Sequence, residues 1–251
     1  TEPQLLGRNL RGSLDLSYAT TDNENALYDT ETLRFSPAIS FPVSELGRLS
    51  LFYALEYTDL TDVSGDASVI IQNEGDLGGV WTNAIGYRYS FDNRRTGLNP
   101  TAGIVLRFGQ EFGFGDTQFI KTTALAGAET TILSEEVTLR ATAEAGLLTY
   151  SEGSSRVTDR FFLGSRLMRG FQPGGIGPRD DATDDALGGN AFSVLRLETE
   201  FPLGLPSEYG ISGGLFIDYG SVWDVGETFG QTVIYDEPIY RATAGASIFW
   251  T

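Results

Sequence analysis

The stretch VTLRATAEAGL at residues 137–147 puts Val137, Leu139, Ala141, Ala143, Ala145 and Leu147 at every second position, with Thr138, Arg140, Thr142, Glu144 and Gly146 between them. Side chains along an extended strand point alternately to its two faces, so this spacing predicts a strand with one apolar and one polar face. The same period recurs across the chain. Leu10, Gly12, Leu14, Leu16 and Tyr18 oppose Arg11, Ser13, Asp15 and Ser17. Leu49, Leu51, Tyr53, Leu55 and Tyr57 oppose Arg48, Ser50, Ala54, Glu56 and Thr58, and Tyr240, Ala242, Ala244, Ala246, Ile248 and Trp250 oppose Arg241, Thr243, Gly245 and Ser247. Further candidates near residues 31–41, 80–92, 102–112, 116–131, 191–202 and 210–223 bring the expected number of strands to ten.

Alternation is shared by soluble sandwiches and membrane barrels, which differ in which face is turned outward. Three features select the barrel. The strands reach the roughly 9–11 residues that a tilted crossing of a bilayer requires. Tyr18, Tyr57, Trp81, Tyr150 and Trp250 fall near the ends of apolar rows, where interfacial aromatic girdles sit. Connections also alternate in length: short near 42–47, 132–136 and 202–210, long near 58–79, 151–190 and 224–238, with the 113–116 connection short on the long side. The expectation is one all-β domain over residues 1–251, a transmembrane antiparallel β-barrel wall with both ends on the short-turn side.

Composition narrows the chemistry. The chain has 31 Gly, 12% aromatic residues, no Cys and no His. Without imidazole, the commonest hydrolytic triads and zinc sites cannot be built, and no catalytic residue, metal site or cofactor is expected. The formal charge of −17, with 17 basic against 34 acidic residues, opposes nucleic-acid binding. Lys121 is the sole lysine, so the other basic side chains are arginines, suited to planar pairing with carboxylates; a biased genome explains the preference equally well. No segment approaches the roughly 20 apolar residues of a membrane-spanning helix, and the first ten residues lack the layout of a signal peptide. The chain opens on Thr1 rather than Met, which reads as a processed or excised chain.

Residues 160–190, RFFLGSRLMRGFQPGGIGPRDDATDDALGGN, are too long and glycine-rich for a plain connector, so this loop is expected to be functional. Asp180, Asp181, Asp184 and Asp185 lack the glycine and terminal glutamate of a calcium loop and read as a solvated acidic run. Gly174, Gly175 and Gly177 lack the Lys-Ser/Thr of a phosphate loop and read as turn glycines. Taken alone, Arg169 reads as an ordinary solvated loop charge.

This segment resembles the sixth extracellular loop of the BamA family, whose R-G-F element matches Arg169, Gly170 and Phe171 and whose closing G-G-N matches Gly188, Gly189 and Asn190. SVLRLETEFPL and GLFIDYGSVWD resemble the two strands that follow that loop, each with its acidic residue. GASIFW resembles the start of the next strand, and the opening TEP resembles the end of an earlier one. The resemblance implies ten of sixteen barrel strands, without the family's periplasmic POTRA domains and without the two strands of the seam where its barrel opens sideways. It implies an outer-membrane location and a role in inserting other outer-membrane proteins without ATP or metal. The partners it implies are unfolded barrel clients, accessory lipoproteins and outer-membrane lipid.

By strand parity Glu198, alternating with Leu195 and Leu197, and Asp218, between Ile217 and Tyr219, fall on the polar, inward face. The expectation is that the loop folds into the lumen, where Arg169 pairs with both carboxylates, Gly170 permits a tight turn and Phe171 anchors the tip. The rival reading is a passive porin or a related translocation pore of the autotransporter or two-partner secretion type, in which the long loop constricts a channel.

Overall fold

The computed structural model describes residues 9–21, 27–94, 102–115, 117–133 and 136–250. The expectation attached to the opening TEP lies outside these residues. Ten strands form one antiparallel meander: β1 (Arg11–Thr21), β2 (Asp29–Pro42), β3 (Gly47–Thr61), β4 (Val80–Asp92), β5 (Ala102–Phe114), β6 (Gln118–Ile132), β7 (Val137–Glu152), β9 (Ala191–Pro202), β10 (Ile211–Trp223) and β12 (Arg241–Trp250). A separate two-stranded ribbon joins β8 (Arg179–Asp180) to β11 (Val233–Ile234). Each large strand pairs with its sequence neighbour, so the even count leaves β1 and β12 starting and ending at the same, short-turn end.

The register shows why alternation decides the architecture. Leu106, Ala126, Ala143, Leu195, Tyr219 and Ala242 lie side by side across six strands. Three positions along, Glu129, Arg140 and Glu198 stand in a row of the opposite parity. The apolar face carries Leu14, Leu16, Ile39, Leu51, Ile85, Leu147, Ile217 and Ile248, all exposed. No second sheet covers this face among the described residues, and an apolar surface of this extent marks contact with a membrane. No helix among them is long and apolar enough to cross one.

The buried core lies elsewhere, under the loops at the long-loop end. One cluster joins Tyr28, Leu60, Ile70, Ile71, Val157, Leu187 and Val225; a second joins Leu163, Met168, Ile176, Phe192, Val194 and Val222 against the polar face of the sheet.

One departure from the sequence reading concerns a connection. The segment near 58–79, expected to be a plain loop, contains helix α1 (Val69–Asp76), with Ser68 as N-cap accepting from the Ile70 N–H. Eight residues are too few to hold a helix by propensity alone; Ile70 and Ile71, fully buried in the first cluster, hold it. In β2, pairing with β3 is interrupted at Ser36 and Pro37 although the register runs through unshifted. Pro37, opposite Tyr53 in that register, has no N–H to donate, and Ser36 Oγ donates to the Tyr53 carbonyl instead, at 2.9 Å.

Candidate functional site: the pinned loop

The loop between β7 and β9 turns back over the polar face of the sheet. Arg169 lies on its descending arm, where Met168, fully buried, packs among Phe192, Val194 and Val222 of the wall and fixes the depth of the tip. From there the Arg169 guanidinium reaches two adjacent strands. Its Nη2 donates to Asp218 Oδ1 at 2.6 Å and its Nε to Asp218 Oδ2 at 2.9 Å, while Nη1 donates to Glu198 Oε2 at 2.5 Å. The Arg169 backbone N–H donates to the same Asp218 Oδ2 at 3.0 Å. The guanidinium also lies over the Phe216 ring, 3.8 Å from its centroid. Asp218, with its side chain fully buried, is thus held by a bidentate fork, the geometry in which arginine binds a carboxylate most strongly.

The rest of the sequence-read set is placed as follows. Gly170 adopts φ +86°, a conformation that β-carbon-bearing residues rarely take, directly beside the fork. Phe171, partly buried, packs against the second cluster. Asn190 closes the loop by donating its N–H to the Asp224 carbonyl and accepting from the Leu148 N–H, both at 2.7 Å. Gly189 beside it has no room for a side chain, since a Cβ would sit 2.3 Å from the Trp223 carbonyl oxygen. Gly188 takes φ +66° at the same bend.

Three features of the site were absent from the sequence reading. Glu198 also touches a second arginine: Arg140 of β7 donates from Nη1 to Glu198 at 3.4 Å and to Glu200 at 2.8 Å, and from Nε to Glu129 at 2.8 Å. The chain Glu129–Arg140–Glu198–Arg169–Asp218 therefore braces β6, β7, the loop, β9 and β10 together. Parity placed these side chains on one face but not at one height.

Second, the loop is clamped from above. Arg160, with no exposed side-chain surface, donates from Nη2 to Glu74 Oε1 of α1 at 2.5 Å and to the Ser155 carbonyl at 2.8 Å. The Val157 N–H donates to Glu74 Oε2 at 2.7 Å. Burial pushes the Glu74 carboxyl above its usual range, against the opposing pull of Arg160. Burial likewise raises the nearby Tyr28 hydroxyl to about 12, with the Glu74 charge adding to the effect.

Third, the acidic run is not simply solvated. Asp180 is buried, accepts from Ser68 Oγ at 2.5 Å and from the Ala182 N–H at 2.8 Å, and Asp185 accepts from the Ser68 N–H at 2.6 Å. The run caps α1 and ties it to the loop, a contact more than a hundred residues apart in sequence that no local spacing reveals. Among the described residues no cluster of acidic side chains is arranged to hold a metal ion.

A ten-stranded antiparallel meander with a bare apolar outer face, and a long loop pinned by arginine to its inner face, defines the wall of a transmembrane β-barrel. The Omp85 superfamily domain matches residues 1–251, and the chain belongs to that superfamily. Among curated relatives, the outer membrane protein assembly factor BamA of Neorickettsia risticii (strain Illinois) is 31% identical over 232 residues, covering 91% of this chain and 31% of the relative. The BamA of Nitratidesulfovibrio vulgaris (strain Hildenborough) is 28% identical over 174 residues, covering 67% of this chain and 21% of the relative. The chain thus spans less than a third of the length of these relatives. The crystal structure of Haemophilus ducreyi BamA lacking POTRA domains 1–3 matches with a TM-score of 0.81 at 16% identity, over 99% of this chain and 54% of that one. CdiB from Acinetobacter baumannii matches less well, with a TM-score of 0.51 at 15% identity, over 87% of this chain and 36% of that one.

Proposed function

We propose that this chain is a portion of the barrel domain of an outer-membrane protein assembly factor, integral to the bacterial outer membrane, and that the protein folds and inserts other β-barrels. Residues 1–251 form the barrel wall in this reading, and the loop at about 151–190 is its lumenal insert. The observation that carries it is the Arg169 fork on Asp218 and Glu198, set by an R-G-F element in an Omp85 wall whose relatives carry the name of an assembly factor. The proposed partners are unfolded barrel clients, the lipoproteins of the assembly machinery and outer-membrane lipid. Nothing in the proposed work requires a catalytic group, ATP or metal: an unpaired strand edge in lipid holds backbone donors and acceptors unsatisfied until another strand covers them, so strand pairing itself drives insertion.

The test is reconstitution of the full-length parent protein into liposomes, with the folding rate of an unfolded barrel client as readout. The parent accelerates folding, Arg169→Glu reduces the acceleration, and the ten-strand segment of residues 1–251 alone gives none. A parent that conducts ions through a stable open channel yet leaves client folding at the bare-liposome rate overturns the proposal in favour of a passive pore.

A further inference from the structure

The inner face of the wall, in a chain of formal charge −17, holds a concentration of positive charge that neither the loop fork nor the clamp uses. A cavity of about 880 Å³ opens between the wall and the pinned loop, and Arg88 of β4, Arg107 of β5 and Arg166 of the loop all line it. None of the three forms an ion pair among the described residues. Arg88 lies instead over the Phe52 ring, 4.3 Å from its centroid. Asp92, on the same face of β4, is already taken by Arg94 at 2.8 and 3.0 Å. The one carboxylate lining the cavity, Glu144, is engaged by Arg196, whose Nη1 also donates to the Arg166 carbonyl at 3.3 Å. Five arginines line this space against the single carboxylate of Glu144, and three of them are in no ion pair among the described residues, over a floor that includes Leu125, Phe161 and Leu167.

We infer that this cavity is a binding site for an acidic segment of polypeptide, in which carboxylates take the arginine forks and intervening apolar side chains lie on the floor. Guanidinium forks match carboxylates in geometry as well as charge, and a cleft lined by one sign of charge with low-dielectric walls concentrates its field on a ligand of the other sign. The mixed lining favours a peptide over a bare anion, and the position on the lumenal face, with the wall between it and lipid, favours a peptide over a lipid headgroup. The inference goes beyond the assembly reading and is tested by binding alone, so either can fail without the other.

The experiment uses the full-length parent protein in detergent micelles and a fluorescein-labelled peptide of Glu-Ser-Glu-Leu repeats, with its Gln-Ser-Gln-Leu counterpart as control. Fluorescence anisotropy is expected to show binding of the acidic peptide that weakens as salt is added, with the glutamine peptide at least roughly tenfold weaker. The triple variant Arg88→Gln, Arg107→Gln, Arg166→Gln loses affinity by a similar factor, while the triple lysine variant, which keeps the charge without the fork, loses less. Thermal unfolding of both variants, matched to the parent, keeps loss of fold separate from loss of binding, and where the triple glutamine variant is unstable, Arg166→Gln alone, on the loop, carries the comparison. Equal binding of the two peptides, parent-like binding by the glutamine variants, or competition by inorganic phosphate at concentrations as low as those of unlabelled peptide overturns the inference; the last would leave only a bare anion site.

Discussion

Arg160 and Arg169 sit nine residues apart on one loop and both pair with carboxylates, yet they occupy opposite regimes. Arg160 has no exposed side-chain surface and its partner Glu74 keeps 2%, whereas Arg169 keeps 30% and divides itself between Glu198 and Asp218. A fully buried pair gains little over an apolar substitute but is severely damaged by loss of one member, because the survivor is left charged and dry. A pair that water reaches loses less, and its partners can exchange. The upper clamp is thus dry on both sides, whereas at the lower fork water reaches Arg169 and Glu198 but not Asp218.

The largest effect should come from splitting the clamp. Arg160→Met in the full-length parent strands Glu74 and should cost about 3–5 kcal/mol by thermal or denaturant unfolding, while Arg160→Met with Glu74→Leu recovers most of it. A double variant no better than the single would remove the distinction between the two arginines. Next comes the fork: Arg169→Glu should cost about 2–3 kcal/mol, discounted for water access, and Asp218→Arg a comparable amount. Their combination should be less damaging than the sum, and strictly additive losses would show that the side chains do not interact.

A smaller effect compares both loop sites with the wall they brace. Ser36→Ala removes the donor that replaces the missing Pro37 N–H and should cost about 1–2 kcal/mol, because the Tyr53 carbonyl is then left unpaired within the sheet. No loss would mean that the Tyr53 carbonyl finds another donor. The smallest effect is the pH dependence of the clamp. A carboxyl whose folded pKa lies above its unfolded value adds stability that is full below the ordinary range and is lost as pH rises through the raised value. The parent should therefore gain on Glu74→Gln as pH falls from neutral into the mildly acid range, measured as the difference between their melting temperatures. A gap that stays constant with pH would show that burial does not shift Glu74.

The same contrast separates what could be read from the sequence from what could not. A strand's faces are fixed by a two-residue period, so 137–147 alone revealed its outer and inner rows, and strands at 80–92 and 191–202 fall where alternation put them. The carboxylates at Glu198 and Asp218 were legible for the same reason, and Arg169 through its motif. Helix α1 was not legible, because Ser68, Ile70, Ile71 and Glu74 take their partners from the distant loop rather than from a periodic neighbour. Arg140 was seen only as one polar position among many: parity supplies a face, whereas height along the barrel depends on the stagger between strands, which spacing does not encode.

The meander has one consequence for the order in which the molecule assembles. Each large strand pairs with the next large strand in sequence, so the wall can grow hairpin by hairpin from contacts between sequence neighbours. Glu74 and Arg160 are 86 residues apart, and Ser68 and Asp180 are 112 apart. These contacts cannot form until β7 has been laid down and the loop beyond it has doubled back. The cap therefore closes late, and a chain halted before residue 160 would carry seven paired strands with its lumen still uncovered.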